Sequence, residues 1–211
     1  ERMKSFSKYL LDEIDIYIEY FRAKGITPNI KEIHLGGGSP NVMDEAEFSQ
    51  LVCKLGELVN ISSLEQFALE IDVRSVDREK AIFFHEMGIN RISFGVQDFN
   101  PEVQKAVNRV QPKELIERLL TPDIRSRFQS VNFDIMWGLP KQTRQTFRET
   151  IQTLKEFSPD RITLLHYGHY PEVYKHQTLI DLSDIPSESE KTMMNLEAIT
   201  DLEANGYEQI G

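Results

Sequence analysis

The residues best suited to chemistry stand at the ends of short apolar runs. Gly36, Gly37 and Gly38 follow "KEIHL" and lead into Ser39 and Pro40; Glu70 and Asp72 close "FALEID". Gln97 and Asp98 follow "RISFGV", Asp134 lies within "VNFDIMWGLP", and residues 166–169 read "HYGH". Consecutive glycines lose much conformational entropy on folding. Bare backbone is therefore needed there, either for a tight turn or for N–H groups that hold a ligand. "GGGSPN" lacks the GK[ST] ending of a Walker loop, and it lacks the G-x-G-x-x-G spacing of a dinucleotide fingerprint. Gly95 and Gly138 recur at other run ends. Glu70 and Asp134 have apolar neighbours and are expected to be partly buried, where a carboxylate needs donors or a cation. Such a set suits a ligand lying across the strand tips and carrying hydroxyls or an ammonium group. A nucleoside joined to an amino acid fits, its carboxylate on N–H groups and its ribose hydroxyls on Glu70. A phosphate held by the glycines of a parallel barrel is the other reading of these residues.

The elements that must position these groups alternate regularly. "IKEIHL", "QFALEID", "RISFGVQ", "SVNFDIMWG" and "DRITLLHYG" are short runs rich in Ile, Val, Leu and Phe, as strands buried on both faces should be. Helical segments separate them, starting at Asp44, Asp77, Asn100, Thr143 and Ser187, with stops at Gly88 and Gly206. Phe6, Tyr9, Leu10, Ile14, Tyr17, Ile18 and Phe21 recur at spacings of three and four, which predicts an opening amphipathic helix ended by Gly25. Strands alternating with helices mean βαβ units and a parallel sheet. The expectation is one α/β domain over residues 1–211, a partial parallel (β/α) barrel with its chemistry on the C-terminal face of the strands.

Bulk properties limit the function. The formal charge of -10 argues against a nucleic-acid partner. No apolar run reaches the roughly 20 residues that span a bilayer. The single cysteine, Cys53, excludes an intrachain disulfide and a four-cysteine metal site within this chain; a cytoplasmic setting is expected. Helical spacing puts Cys53 on the core-facing or half-buried side of its helix. His34 and His166 read as core histidines, His85 as half-exposed, and His169 as a functional candidate at a strand tip. Trp137 fits either a ligand or the barrel mouth, and Arg74 and Arg91 fit surface ion pairs. The chain opens without Met and closes on "GYEQIG", which resembles a strand just starting. Both ends read as cut from a longer protein.

Five strings, "HLGGGSP", "LEIDVR", "GINRISFGVQDFNPEVQKAVNRVQ", "NFDIMWGLPKQT" and "PDRITLLHYGHYP", follow one another in order. Together they resemble the radical S-adenosylmethionine (SAM) core of the oxygen-independent coproporphyrinogen III oxidase family, from about Lys31 onward. Asp98 and Lys141 favour this branch over the related haem-binding chaperones, the alternative on the same fold. The resemblance implies that Gly37, Gly38 and Ser39 hold the methionyl end of SAM and that Glu70 binds its ribose. It makes Gln97, Arg109, Asp134 and Gly168 nucleotide-side or substrate-side contacts, with Gly168 replacing the family's usual alanine. It further implies a 4Fe-4S cluster whose C-x-x-x-C-x-x-C ligands lie outside this chain, a tetrapyrrole substrate, and an electron donor such as a flavodoxin or ferredoxin. The implied reaction turns two propionates into vinyl groups with loss of CO₂, converting coproporphyrinogen III to protoporphyrinogen IX.

Overall fold

The computed structural model describes residues 2–210, with side chains from Phe6 onward. Its strands are β1 (Glu32–Leu35), β2 (Gln66–Ile71), β3 (Arg91–Gln97), β4 (Ser130–Trp137) and β5 (Arg161–His166). They form one sheet in the order β1-β2-β3-β4-β5. The strands run parallel, with Glu32 opposite Gln66 at one end and Trp137 opposite His166 at the other. Every step goes to the next strand in the same direction. That is the winding of a (β/α) barrel; a doubly wound sheet would reverse its direction. The five apolar runs thus become the five strands of the expected partial barrel.

Helix starts follow their local chemistry. The side chains of Asp44, Thr143 and Ser187 each accept a hydrogen bond from the backbone three residues on. Each of those residues answers with its own side chain, closing a capping box at α2 (Glu45–Leu55), α7 (Arg144–Phe157) and α8 (Glu188–Ala204). Asp77 caps α3 (Arg78–Glu86), and Asn100 caps the Pro-initiated α4 (Pro101–Ala106). α4 is shorter than its sequence pattern because Asn108 takes a left-handed conformation, φ 52°. The opening helix α1 spans Arg2–Lys24. Two further short helices, α5 (Lys113–Leu119) and α6 (Pro122–Arg125), were not foreseen.

Packing divides the chain into two compact units, Glu1–Ser93 with Leu119–Val131, and Phe94–Arg118 with Asn132–Gly211. In the first, Ile14 and Ile18 are the buried stripe of α1, and Phe48, Phe67, Leu69 and Phe84 are fully enclosed. The rings of Phe48 and Phe84 sit 4.8 Å apart in a tilted pair. Cys53 departs from its expected place: it is exposed. It lies five residues past Phe48 and two past Leu51, which turns it roughly 140° and 200° away from the two side chains that bury α2. Cys53→Ala is accordingly expected to shift the unfolding free energy by less than about 0.5 kcal/mol in urea titrations.

In the second unit, Phe147, Ile151 and Leu154 of α7 recur at helical spacing and are buried. Phe94 and Phe133 meet edge to face at 5.6 Å. The C-terminal segment forms no strand over residues 207–210. Instead the Tyr207 N–H closes the end of α8 on the Leu202 carbonyl, and its hydroxyl donates to the Pro159 carbonyl at 2.7 Å. Among the described residues no helix is long and apolar enough to cross a membrane.

Candidate cofactor-binding site

In the first unit, β1 ends at Leu35 and the three glycines follow, each for its own reason. A Cβ on Gly36 would lie 2.4 Å from His34 Nε2 and 2.5 Å from Glu70 Oε1. That glycine lets the loop pass close to two polar side chains. Gly37 has φ 89°, a conformation L side chains rarely adopt. Its N–H donates to Glu70 Oε2 at 3.1 Å, while His34 Nε2 meets Oε1 at 3.1 Å. Gly38 needs neither explanation: a Cβ there would meet nothing within 4 Å. Its place is open space beside exposed backbone. Ser39 precedes the short 3₁₀ turn Pro40–Val42, and its side chain makes no cap bond. Asn41, fully buried, secures the loop from below by donating to Ser75 Oγ and accepting from the Asp72 N–H. A groove of about 540 Å³, lined by Phe6, Leu10, His34, Leu35 and the glycine loop, opens beside it.

Glu70 is half-buried, as expected, and joins Gly37 directly. Each of its oxygens carries one protein partner, so lone pairs remain for ligand hydroxyls. Asp72, the other acid of that strand end, is engaged differently: it forms a forked pair with Arg74. His34 is no core histidine. It is exposed because β1 is an edge strand, and its partner is Glu70.

In the second unit Gln97 and Arg109 come together over Gly95. A Cβ on that glycine would lie 3.0 Å from Arg109 Nη2 and 3.1 Å from Gln97 Nε2. Arg109 is held by the Gly95 carbonyl at 2.8 Å and by Gln111 Oε1 at 3.2 Å. Gln97 is set by a left-handed backbone, φ 66°, and its Oε1 is buried with no hydrogen-bond partner. An orphaned buried acceptor is costly and calls for a donor from a ligand or water. Asp134 is half-buried on β4 and accepts from Asn132 Nδ2 at 2.7 Å. Gly168 follows β5, and its carbonyl accepts from Gln177 Nε2 at 3.0 Å.

Asp98 faces inward, 1% exposed. It accepts from the Asn100 N–H, Gln142 Nε2 and Thr150 Oγ1. Burial pushes its carboxyl above the ordinary value, outweighing these donors. Gln142 passes the order on, its Oε1 accepting from the Gly138 and Leu139 N–H groups after β4. His166 likewise is exposed rather than core, stacked on Trp137 with ring centroids 4.3 Å apart. His169 meets the Tyr167 hydroxyl at 3.2 Å.

The sequence took His34 for a core histidine and left the buried amides Asn41, Gln104, Gln111, Gln142 and Gln177 unmarked. The signal was available. An amide carries donor and acceptor together, which a tight turn needs and which "SPN", "PEVQ" and "PKQT" supply.

Residues 3–154 match the Radical SAM superfamily. The oxygen-independent coproporphyrinogen III oxidase of Escherichia coli (strain K12) is 36% identical over 183 residues, covering 87% of this chain and 40% of that protein. The Pseudomonas aeruginosa enzyme of the same name is 33% identical over 204 residues, or 96% of this chain and 44% of its own length. The structure of coproporphyrinogen III oxidase from Escherichia coli, described as a radical SAM enzyme, superposes with a TM-score of 0.87. That match is 34% identical and covers 100% of this chain and 49% of that one. The Elp3 of Methanocaldococcus infernus, 16% identical, shares the fold at a TM-score of 0.68 over 93% of this chain and 50% of its own. The chain thus spans less than half the length of the curated relatives it matches. The matched stretch holds the glycine loop, Glu70, Gln97, Arg109 and Asp134 alike: the chain belongs to the Radical SAM superfamily.

Proposed function

We propose that this chain is the SAM-binding core of an oxygen-independent coproporphyrinogen III oxidase, which decarboxylates two propionates of coproporphyrinogen III to vinyl groups. The observation that carries the reading is the closed link between the glycine loop and Glu70, on a chain 33–36% identical to enzymes of that name. The residues present fit SAM. Exposed backbone at Gly37 and Gly38 can receive an amino-acid end, and spare lone pairs on Glu70 can receive ribose hydroxyls. They do not fit the cluster: three thiolates are needed, and Cys53 is the one cysteine here. Its ligands must come from outside this chain.

Bound SAM, after accepting one electron delivered from outside this chain, would supply the chemistry that takes a hydrogen atom from the substrate side chain. The chain's own work is binding and orientation. Gly37, Gly38 and Ser39 hold the methionyl end, Glu70 fixes the ribose, and Gln97, Arg109, Asp134 and Gly168 set the nucleotide or substrate side. Preset donors cost no reorganisation when the ligand arrives. A flavodoxin or ferredoxin is the electron donor in this reading, and the cytoplasm is the compartment. The test uses the natural protein that carries this chain, purified without oxygen. Expected are binding of S-adenosyl-L-homocysteine by calorimetry and conversion of coproporphyrinogen III followed by protoporphyrin fluorescence. Tight haem binding with no turnover would replace the oxidase with a haem chaperone.

A further inference from the structure

Gly168 follows β5, and its reason is not backbone conformation. Gly168 has no positive φ, unlike Gly37 and Gly138. An alanine backbone would therefore be at ease there. What bars a side chain is Tyr170: a Cβ on Gly168 would lie 2.3 Å from its Cε2, 3.1 Å from Cδ2 and 3.2 Å from Cζ. The tyrosine ring occupies the space of the missing methyl group.

The base of that ring is rigid. Gln177, 6% exposed, accepts from the Tyr170 N–H with its Oε1 and donates to the Gly168 carbonyl with its Nε2. One buried amide thus clamps both residues. The Tyr170 carbonyl accepts from the Val173 and Tyr174 N–H groups. Yet Tyr170 as a whole is 55% exposed. A large apolar ring on a fixed base, packed on one side and open on the other, is poorly explained as core filling. It is what a stacking platform looks like, because a ring face takes another flat ring with little entropy lost.

We propose that Gly168 and Tyr170 act as one specificity device, in which the glycine makes room for the tyrosine ring and the ring's open side takes a planar nitrogen heterocycle of the ligand. This rests on the reading of Gly168 as a ligand-side residue. Two sources carry that chemistry, the adenine of SAM and a pyrrole of the tetrapyrrole.

The test measures affinity on the natural protein, kept free of oxygen, with S-adenosyl-L-homocysteine by calorimetry and with coproporphyrin III by fluorescence quenching. Tyr170→Leu is expected to weaken one of the two probes about tenfold, while Tyr170→Phe binds as wild type. Gly168→Ala alone weakens the same probe by displacing the ring. In the Tyr170→Leu background, Gly168→Ala adds no further loss, a non-additivity that marks a shared role. Loss confined to the first probe assigns the ring to adenine, and loss confined to the second assigns it to the tetrapyrrole. Unchanged affinity for both in Tyr170→Leu overturns the device, as do additive losses in the double variant. Wild-type protein that binds neither probe overturns the proposed function itself, and the device with it.

Discussion

Asp98→Ala is expected to lower the unfolding free energy by about 2–4 kcal/mol. The carboxylate collects three donors, the Asn100 N–H, Gln142 Nε2 and Thr150 Oγ1, and alanine strands all of them. Relief of the buried charge offsets part of that cost, and so the figure stays below the sum of three lost bonds. Asparagine does not restore the site. Its amide would turn N–H toward Gln142 Nε2, and Gln142 cannot flip because its Oε1 already serves the Gly138 and Leu139 N–H groups. The pH dependence has a definite sign. Burial raises the Asp98 carboxyl above its ordinary 3.8, so the folded state takes up the proton before the unfolded chain does. Wild-type stability relative to Asp98→Asn therefore increases as pH falls toward 3.8 and levels off below it. Urea titrations at several pH values check both statements; an Asp98→Ala midpoint equal to wild type would remove Asp98 as the organiser of these loops.

Gly38→Val is expected to leave the fold intact and to abolish ligand binding. A Cβ at Gly38 meets nothing within 4 Å and the loop is exposed there, so the stability cost should stay within about 0.5 kcal/mol. The same open space is where a methionyl carboxylate would approach the loop N–H groups. Two charge-assisted hydrogen bonds are worth about 1.5–3 kcal/mol each, so blocking them should weaken S-adenosyl-L-homocysteine at least ~100-fold. Calorimetry on the natural protein reads this directly, with a melting curve as the control for folding. A Gly38→Val protein that binds and turns over as wild type would show that the loop holds something else.

The fold was legible because its signals are local. Apolar runs marked the five strands, and Asp44, Asp77, Asn100, Thr143 and Ser187 marked helix starts through bonds made within one turn. What escaped was set by neighbours distant in sequence. Helical spacing put Cys53 near Val52 and Leu55 but could not tell which arc of α2 meets the core. An apolar strand pattern made His34 and His166 look enclosed, whereas β1 and β5 are the outer strands of the sheet and leave them exposed. The α5 and α6 helices are too short for periodicity to show. In the candidate site, residue types pointed to Glu70, Gln97 and Asp134, while Arg109 came only from the family resemblance. Type alone could not separate three adjacent glycines, of which Gly36 grants close approach, Gly37 a left-handed backbone and Gly38 open space. Nor could it show that Asp98, next to Gln97 in sequence, turns inward.

The capping boxes of α2, α7 and α8 have a consequence for how the chain folds. Each is closed by residues three apart, so those helix starts can form and dissolve on the microsecond timescale before anything else is in place. The sheet is the opposite case. Its parallel registers join Glu32 to Gln66 and Asn132 to Arg161, closures of roughly thirty residues that must lose loop entropy before any ladder bond forms. Strand pairing is then the slow event, and a newly made chain carries finished helix ends around unpaired apolar segments until it happens.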